Sequence, residues 1–216
     1  MKTILLACLV TLGTSVCFAQ AEQPGEKPRL SKLAAESDLV ALAQLIATEY
    51  EYTRGFPSKG FATLRILIPY KQPEPLDQVQ VIEEGLKESE CYFPEISAWQ
   101  EGQRFLVFLN RLEADQFKGH PQLCALPVLV TDGNRYAMRI PQDAIDLGED
   151  GRAMVRELIY ADPAARLDAT ELTGTAIEQM IEEQGLRQIG DELIYTLGIE
   201  LTDVRRLMGP GALEND

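Results

Sequence analysis

Two hydrophobic periods alternate along this chain, and they divide it near Pro141. In FATLRILIPY, residues 61 to 70, Ala62, Leu64, Ile66 and Ile68 recur at every second position, the pattern of a strand with one covered face. DQVQVIE is a second, shorter strand. RFLVFLNRLE, after Gly102, is apolar almost without interruption and reads as a buried strand. PVLVTDGNRYAMRI is a hairpin whose turn is Asp132-Gly133-Asn134. The segment ahead of these, SDLVALAQLIATEYEYT, carries both periods: Leu39, Leu42, Ala43 and Ile46 fit a helical face, whereas Ile46, Thr48, Tyr50 and Tyr52 alternate with Ala47, Glu49 and Glu51 as in a strand. RGFPSKG then forms a turn-rich loop. Five or six strands in about a hundred residues, with no βαβ alternation, predict a mainly β domain: a small antiparallel barrel or sandwich.

Beyond Pro141 the period lengthens. Thr175 with Glu178 makes a capping box, Ile177, Met180 and Ile181 share one helical face, and Leu186, Ile189, Leu193 and Leu197 repeat that spacing after Gly185. A helical C-terminal extension over residues 146–216 follows, its stripe packing on the barrel or helix on helix. Its end, MGPGALEND, reads as frayed.

The first residues belong to neither regime. Lys2, the apolar run Ile4 to Val16 and the small-residue stretch Phe18-Ala19-Gln20-Ala21 have the layout of a secretory signal peptide, residues 1–21. The run is too short to span a bilayer permanently, and no other membrane span is expected. Val16 ahead of Cys17 does not suit a lipoprotein site. The next residues, 22–36, opening with the Pro-, Gly- and charge-rich EQPGEKPR, read as a flexible lead-in to a domain over 37–145.

Cleavage changes the cysteine count and the charge. Cys8 and Cys17 leave with the signal, so Cys91 and Cys124 remain of four. In an oxidising compartment such a pair is more often a disulfide than two buried thiols or a reactive group, and two sulfurs without clustered histidines make a poor zinc site. Loss of Lys2 takes 20 basic residues to 19 against 34 acidic ones, a balance of −15. Nucleic acid and anionic membrane are thereby poor partners, because phosphate binding needs a basic face.

Catalytic signals are sparse. His120 is the sole histidine and sits in the loop KGHPQ, which reads as surface. The chain has no G-x-S-x-G, H-E-x-x-H or phosphate-loop context. The adjacent pairs Glu83-Glu84 and Glu182-Glu183 point in different directions along their elements and read as solvated faces rather than an acid/base couple. Asp146, Asp150 and Glu157 stand at the first, fifth and twelfth places of a calcium-loop spacing. Gly148 occupies the third place, and a strand-like RYAMRIPQ precedes it, so an ordinary acidic turn capping a helix is the expectation. Neither metal nor cofactor is expected.

The order of pieces resembles the OB-fold domain of the tissue inhibitor of metalloproteinases and netrin-like group, with its small bacterial secreted relatives. Ser37-Asp38-Leu39-Val40 matches the group's strand opening, Tyr70-Lys71 its aromatic-Lys, and Glu88-Ser89-Glu90-Cys91-Tyr92-Phe93 its cysteine-and-aromatic stretch. Gly102 to Phe108 matches its next buried strand and Cys124 its later cysteine, over roughly residues 37 to 126. Tyr92 and Gln72 stand where the group has glycine. The resemblance implies a strand for the ambiguous segment, an OB-like barrel of five to six antiparallel strands, and direct pairing of Cys91 with Cys124. It does not imply metalloprotease inhibition, because that wedge is an N-terminal cysteine and the processed chain would start at Gln20 or Glu22.

The sequence thus predicts a periplasmic or secreted, non-catalytic binding module for an unknown envelope or extracellular protein. A small hydrolase with an unrecognised carboxylate site is the alternative. The rim loops YEYTRGFPSKG and PEISAWQEG carry the candidate contacts Tyr52, Arg54, Phe56 and Trp99, with Phe56 and Trp99 alternatively folded back as lids over the barrel end. N-terminal sequencing of protein from the cell envelope checks the export expectation. Gln20 or Glu22 at the terminus supports it, and Met1 in the bulk of the protein removes it.

Overall fold

The computed structural model describes residues 27–86, 90–95, 102–140 and 143–210. The signal peptide, the first part of the lead-in and Trp99 lie outside the described residues. Helix α1 (Leu30–Glu36) opens the described chain. It falls within the expected flexible lead-in but is not loose: Leu30, Leu33 and Ala34, spaced i, i+3, i+4, are buried in the core, and Lys71 donates from Nζ to the carbonyls of Ala34 and Ala35 at 3.2 and 3.1 Å.

Strands β1 (Leu39–Thr53), β2 (Phe56–Lys71), β3 (Gln78–Glu84), β4 (Arg104–Glu113) and β5 (Gln116–Gly119) form a closed ring, β1-β2-β3-β5-β4, sealed by the β1–β4 pairing from Leu39↔Leu109 to Gln44↔Arg104. The ring is mixed, not antiparallel. β3 and β5 run parallel through Gln80↔Gln116 and Val81↔Phe117. Closure dictates this: around a ring with an odd number of strands, direction cannot alternate at every neighbour, so at least one pair is parallel. Three of the register shifts between β1 and β2 fall within Val40–Ala47, where bulges bend the long ribbon around the barrel. At Gly60, φ +135, a Cβ would sit 2.0 Å from the Glu49 carbonyl oxygen, so the close approach of the two strands there requires glycine.

β1 is a strand, and its double period has a physical source in packing on both faces. Leu39, Ala41, Ala43 and Leu45 point into the barrel with Val107, Leu109 and Phe117. Val40 and Leu42 point outward with Leu106 and Phe108 into a second core. That outer core lies under β6 (Ala125–Val130) and β7 (Tyr136–Ile140), the expected hairpin, which continues the sheet from β4.

The rest of the chain corrects the expected helical extension. Helix α2 (Gly148–Met154) leads to the two-residue β8 (Arg156–Glu157), then to β9 (Arg166–Asp168) and helix α3 (Gly174–Gln184). The helix starts two residues before the expected cap: Thr173 Oγ1 accepts from the Ala176 amide at 3.3 Å. Leu186, Ile189, Leu193 and Leu197 are not helical. They lie in β10 (Leu186–Ile189), β11 (Glu192–Tyr195) and β12 (Leu197–Glu200), followed by helix α4 (Leu201–Met208). Gly185 and Gly190, at φ +60 and +62, turn the chain at points where a helix would have continued. β10-β11-β9 make a small separate sheet with α3 against it, whereas β12 pairs with β7 and extends the main sheet to nine strands, ending in β8. No described helix is long and apolar enough to cross a membrane.

Candidate functional site

The β1–β2 ribbon outruns the barrel wall. β4 covers β1 only as far as Gln44, and β3 covers β2 only from Lys59 onward, so Tyr50 to Pro57 stand as a two-stranded tip. The turn is Arg54-Gly55 with both φ positive, 55 and 84°, the backbone of a tight hairpin turn. Register sets Tyr52 opposite Pro57 and Phe56 opposite Thr53, so the two aromatics occupy opposite faces of the tip. Tyr52 is 47% exposed and its hydroxyl donates to Glu95 Oε1 at 2.6 Å. The Glu95 carboxylate that accepts this bond raises the Tyr52 phenol. Phe56 is 68% exposed, which rules out its lid role. The structure therefore gathers Tyr52, Arg54 and Phe56 on one projecting element, and Trp99 lies outside the described residues.

At the ribbon's base the barrel end is plugged by the segment Glu90–Glu95. Cys91 and Cys124 form a disulfide with Cα atoms 5.9 Å apart, linking this segment to the start of the β6 hairpin. Phe93 meets Phe105 edge-on at 5.2 Å inside the barrel, and Tyr92 meets Tyr50 at 5.2 Å. The Phe93 amide donates to Tyr50 Oη at 3.1 Å, and Tyr92 donates to the Gly85 carbonyl at 2.9 Å. Burial holds the Tyr50 phenol up at about 12, so it stays neutral and able to accept. Gly119 passes between these groups. A Cβ there would lie 2.4 Å from Cys91 Cβ, 2.8 Å from Cys124 Cβ and 3.0 Å from Glu83 Oε1.

Glu83 is one residue that sequence reasoning misplaced. It is buried in the barrel, not a solvated face, because it follows Val79 and Val81 at the inward positions of β3. Its carboxyl meets that of Glu90 and is covered by Lys118 of β5. That alternation was the available signal, and the acidic identity hid it.

The other candidates resolve separately. His120 is 4% exposed, not a surface residue: its amide donates to the Phe108 carbonyl at 3.0 Å, its Nδ1 accepts from the Gln122 amide at 3.3 Å and its Nε2 lies 3.4 Å from Glu36. Asp146 accepts from the Gly148 amide at 2.9 Å, which with Arg29 and Arg152 holds its carboxyl below the usual range. Glu157 is in β8, bonded to Arg187 at 2.8 Å, so the calcium-loop spacing is broken up between an acidic turn and a strand. Among the described residues no group of three or more His, Cys, Asp or Glu is arranged to hold a metal ion. The chain matches no family model, no curated protein and no solved structure.

Proposed function

We propose that the chain is an exported, non-catalytic binding module, periplasmic or secreted, with an OB-type barrel like that of the tissue inhibitor of metalloproteinases and netrin-like group. It engages an envelope or extracellular protein through the β1–β2 tip. The observation that carries this reading is the exposure of Phe56 and Tyr52 on a ribbon that extends past the barrel wall. Aromatic side chains of this kind supply contact area at low conformational cost. The ring order β1-β2-β3-β5-β4 and the cysteine bridge support the OB-type comparison. The hydrolase alternative has less support, because one buried carboxylate couple, Glu83 with Glu90, has side chains 0% and 5% exposed and offers substrate no access, and another, Glu200 with Asp203, is neutralised by Arg156.

Phe56→Ala tests the reading. An exposed side chain with no packing to lose should change stability by under about 0.5 kcal/mol. The same variant should lose the protein captured by the processed wild-type chain from envelope extract. Full capture by a folded Phe56→Ala variant overturns the assignment of the tip.

A further inference from the structure

At the end of β2 away from the tip, Ile68 and Tyr70 meet Tyr136 of β7 and Leu201 of α4 around a groove of about 390 Å³. These walls are apolar. The Tyr136 ring is backed by the Arg104 guanidinium, 5.8 Å from its centroid, and Asp162 holds that guanidinium at 3.4 Å, so this wall is in place before any ligand arrives.

The charged lining is cationic in balance, although Glu200 belongs to it. Glu200 turns its carboxylate to Arg135 at 3.0 Å and Arg156 at 3.9 Å and makes no cap bond to α4. Asp203, the other buried carboxylate of this region, is bonded to Arg156 and, at 2.9 Å, to Arg206. With Arg205, which lines the groove, the guanidinium groups of Arg135, Arg156 and Arg206 set four positive charges against the two negative ones of Glu200 and Asp203. That is a local surplus of two on a chain whose net charge is −14. Arg205 itself has no acidic partner among the described residues. Leu201 and Thr202 are the first turn of α4, so the helix adds its positive end.

One buried donor is left over on the same groove. Tyr70 is 7% exposed, and no described residue bonds to its hydroxyl. Burial raises the phenol to about 12, so it keeps its proton and can donate. A guanidinium and a phenol donor beside apolar walls match a ligand with an oxyanion at one end and a hydrocarbon body at the other. We propose that this groove binds a small amphipathic carboxylate: Arg205 and the Tyr70 hydroxyl hold the carboxylate, and Ile68, Tyr136 and Leu201 cover the apolar body. The site lies at the opposite end of β2 from Phe56 and does not depend on what the tip binds.

Titration of the disulfide-intact protein with 3-phenylpropanoate, read from the NMR amide signals of Tyr136 and Thr202, tests this. The signals should move and saturate with a Kd of about 1 mM or below, which a ligand of this size can reach. 3-Phenylpropan-1-ol keeps the body without the charge and acetate keeps the charge without the body; each should bind at least about tenfold more weakly. Arg205→Gln, at an exposed position, should weaken 3-phenylpropanoate about tenfold or more, and Tyr70→Phe about threefold or more. Arg166→Gln removes the same charge from the separate three-stranded sheet and should leave Kd unchanged. No saturation up to about 10 mM, equal binding of the alcohol or of acetate, a Kd unmoved in Arg205→Gln, or one raised as much in Arg166→Gln overturns the proposal. If Tyr70→Phe does not fold, Arg205→Gln decides by itself.

Discussion

Phe117→Ala should lower the stability of the protein by about 3–5 kcal/mol, the range for truncating a buried aromatic. Phe117 has no exposed surface and lies in β5, a strand of four residues that must close the ring between two longer neighbours. Its parallel pairing to β3 has two registered positions, Gln80↔Gln116 and Val81↔Phe117. So short a ladder contributes little by itself, because each backbone hydrogen bond yields a net gain of only about 1 kcal/mol. The ring of Phe117, packed among the inward residues of β1, β3 and β4, is what fixes β5 in place. Urea unfolding of the variant measures the cost. A loss under about 1 kcal/mol would mean that the barrel interior is not packed as described.

How legible each part was in the sequence depended on how many neighbours a residue serves. The strands β2, β3, β4 and the β6–β7 hairpin were visible because each is long enough for its period to register. β1 was ambiguous for a definite reason: Val40 and Leu42 serve the outer core while Leu39, Ala41 and Ala43 serve the barrel interior, so two adjacent apolar faces imitate a helical stripe. The same imitation misled in the tail. Leu186, Ile189, Leu193 and Leu197 are spaced by three and four, yet Ile189 is 57% exposed, while Leu193 and Tyr195, two apart, are buried together. Four-residue strands are too short for a period to decide, and the positive φ at Gly185 and Gly190 carried the information instead. The parallel β3–β5 pair was out of reach because it follows from closure of the ring, not from any local pattern.

The candidate site divides the same way. Turn residues and aromatics marked Tyr52, Arg54 and Phe56 locally, but as a rim loop; RGFPSKG is instead the turn of a hairpin, with β2 already begun at Phe56. The Glu83–Glu90–Lys118 cluster was not legible, since its three members come from three parts of the chain and meet only when β5 seals the barrel.

The second large effect is expected at the bridge. Replacing both cysteines, Cys91→Ala with Cys124→Ala, should cost about 3–4 kcal/mol, because the bond closes a loop whose ends are 33 residues apart and so restricts the unfolded chain. The wild-type protein, reduced and alkylated after unfolding, should lose a similar amount, which separates the entropic effect from any loss of packing at the two side chains. Non-reducing mass spectrometry should first show the Cys91 and Cys124 peptides linked. The barrel should survive, since Leu39 to Leu45 remain held by both cores, while Glu90–Glu95 keeps the contacts of Tyr92, Phe93 and Glu95 but loses its covalent tether. The cysteine-free protein should therefore show weaker hydrogen-exchange protection of the Phe93 amide than the wild type. A cost below about 1 kcal/mol, with Phe93 protection unchanged at every pH, would show that neither the bridge nor the segment it anchors secures the barrel end.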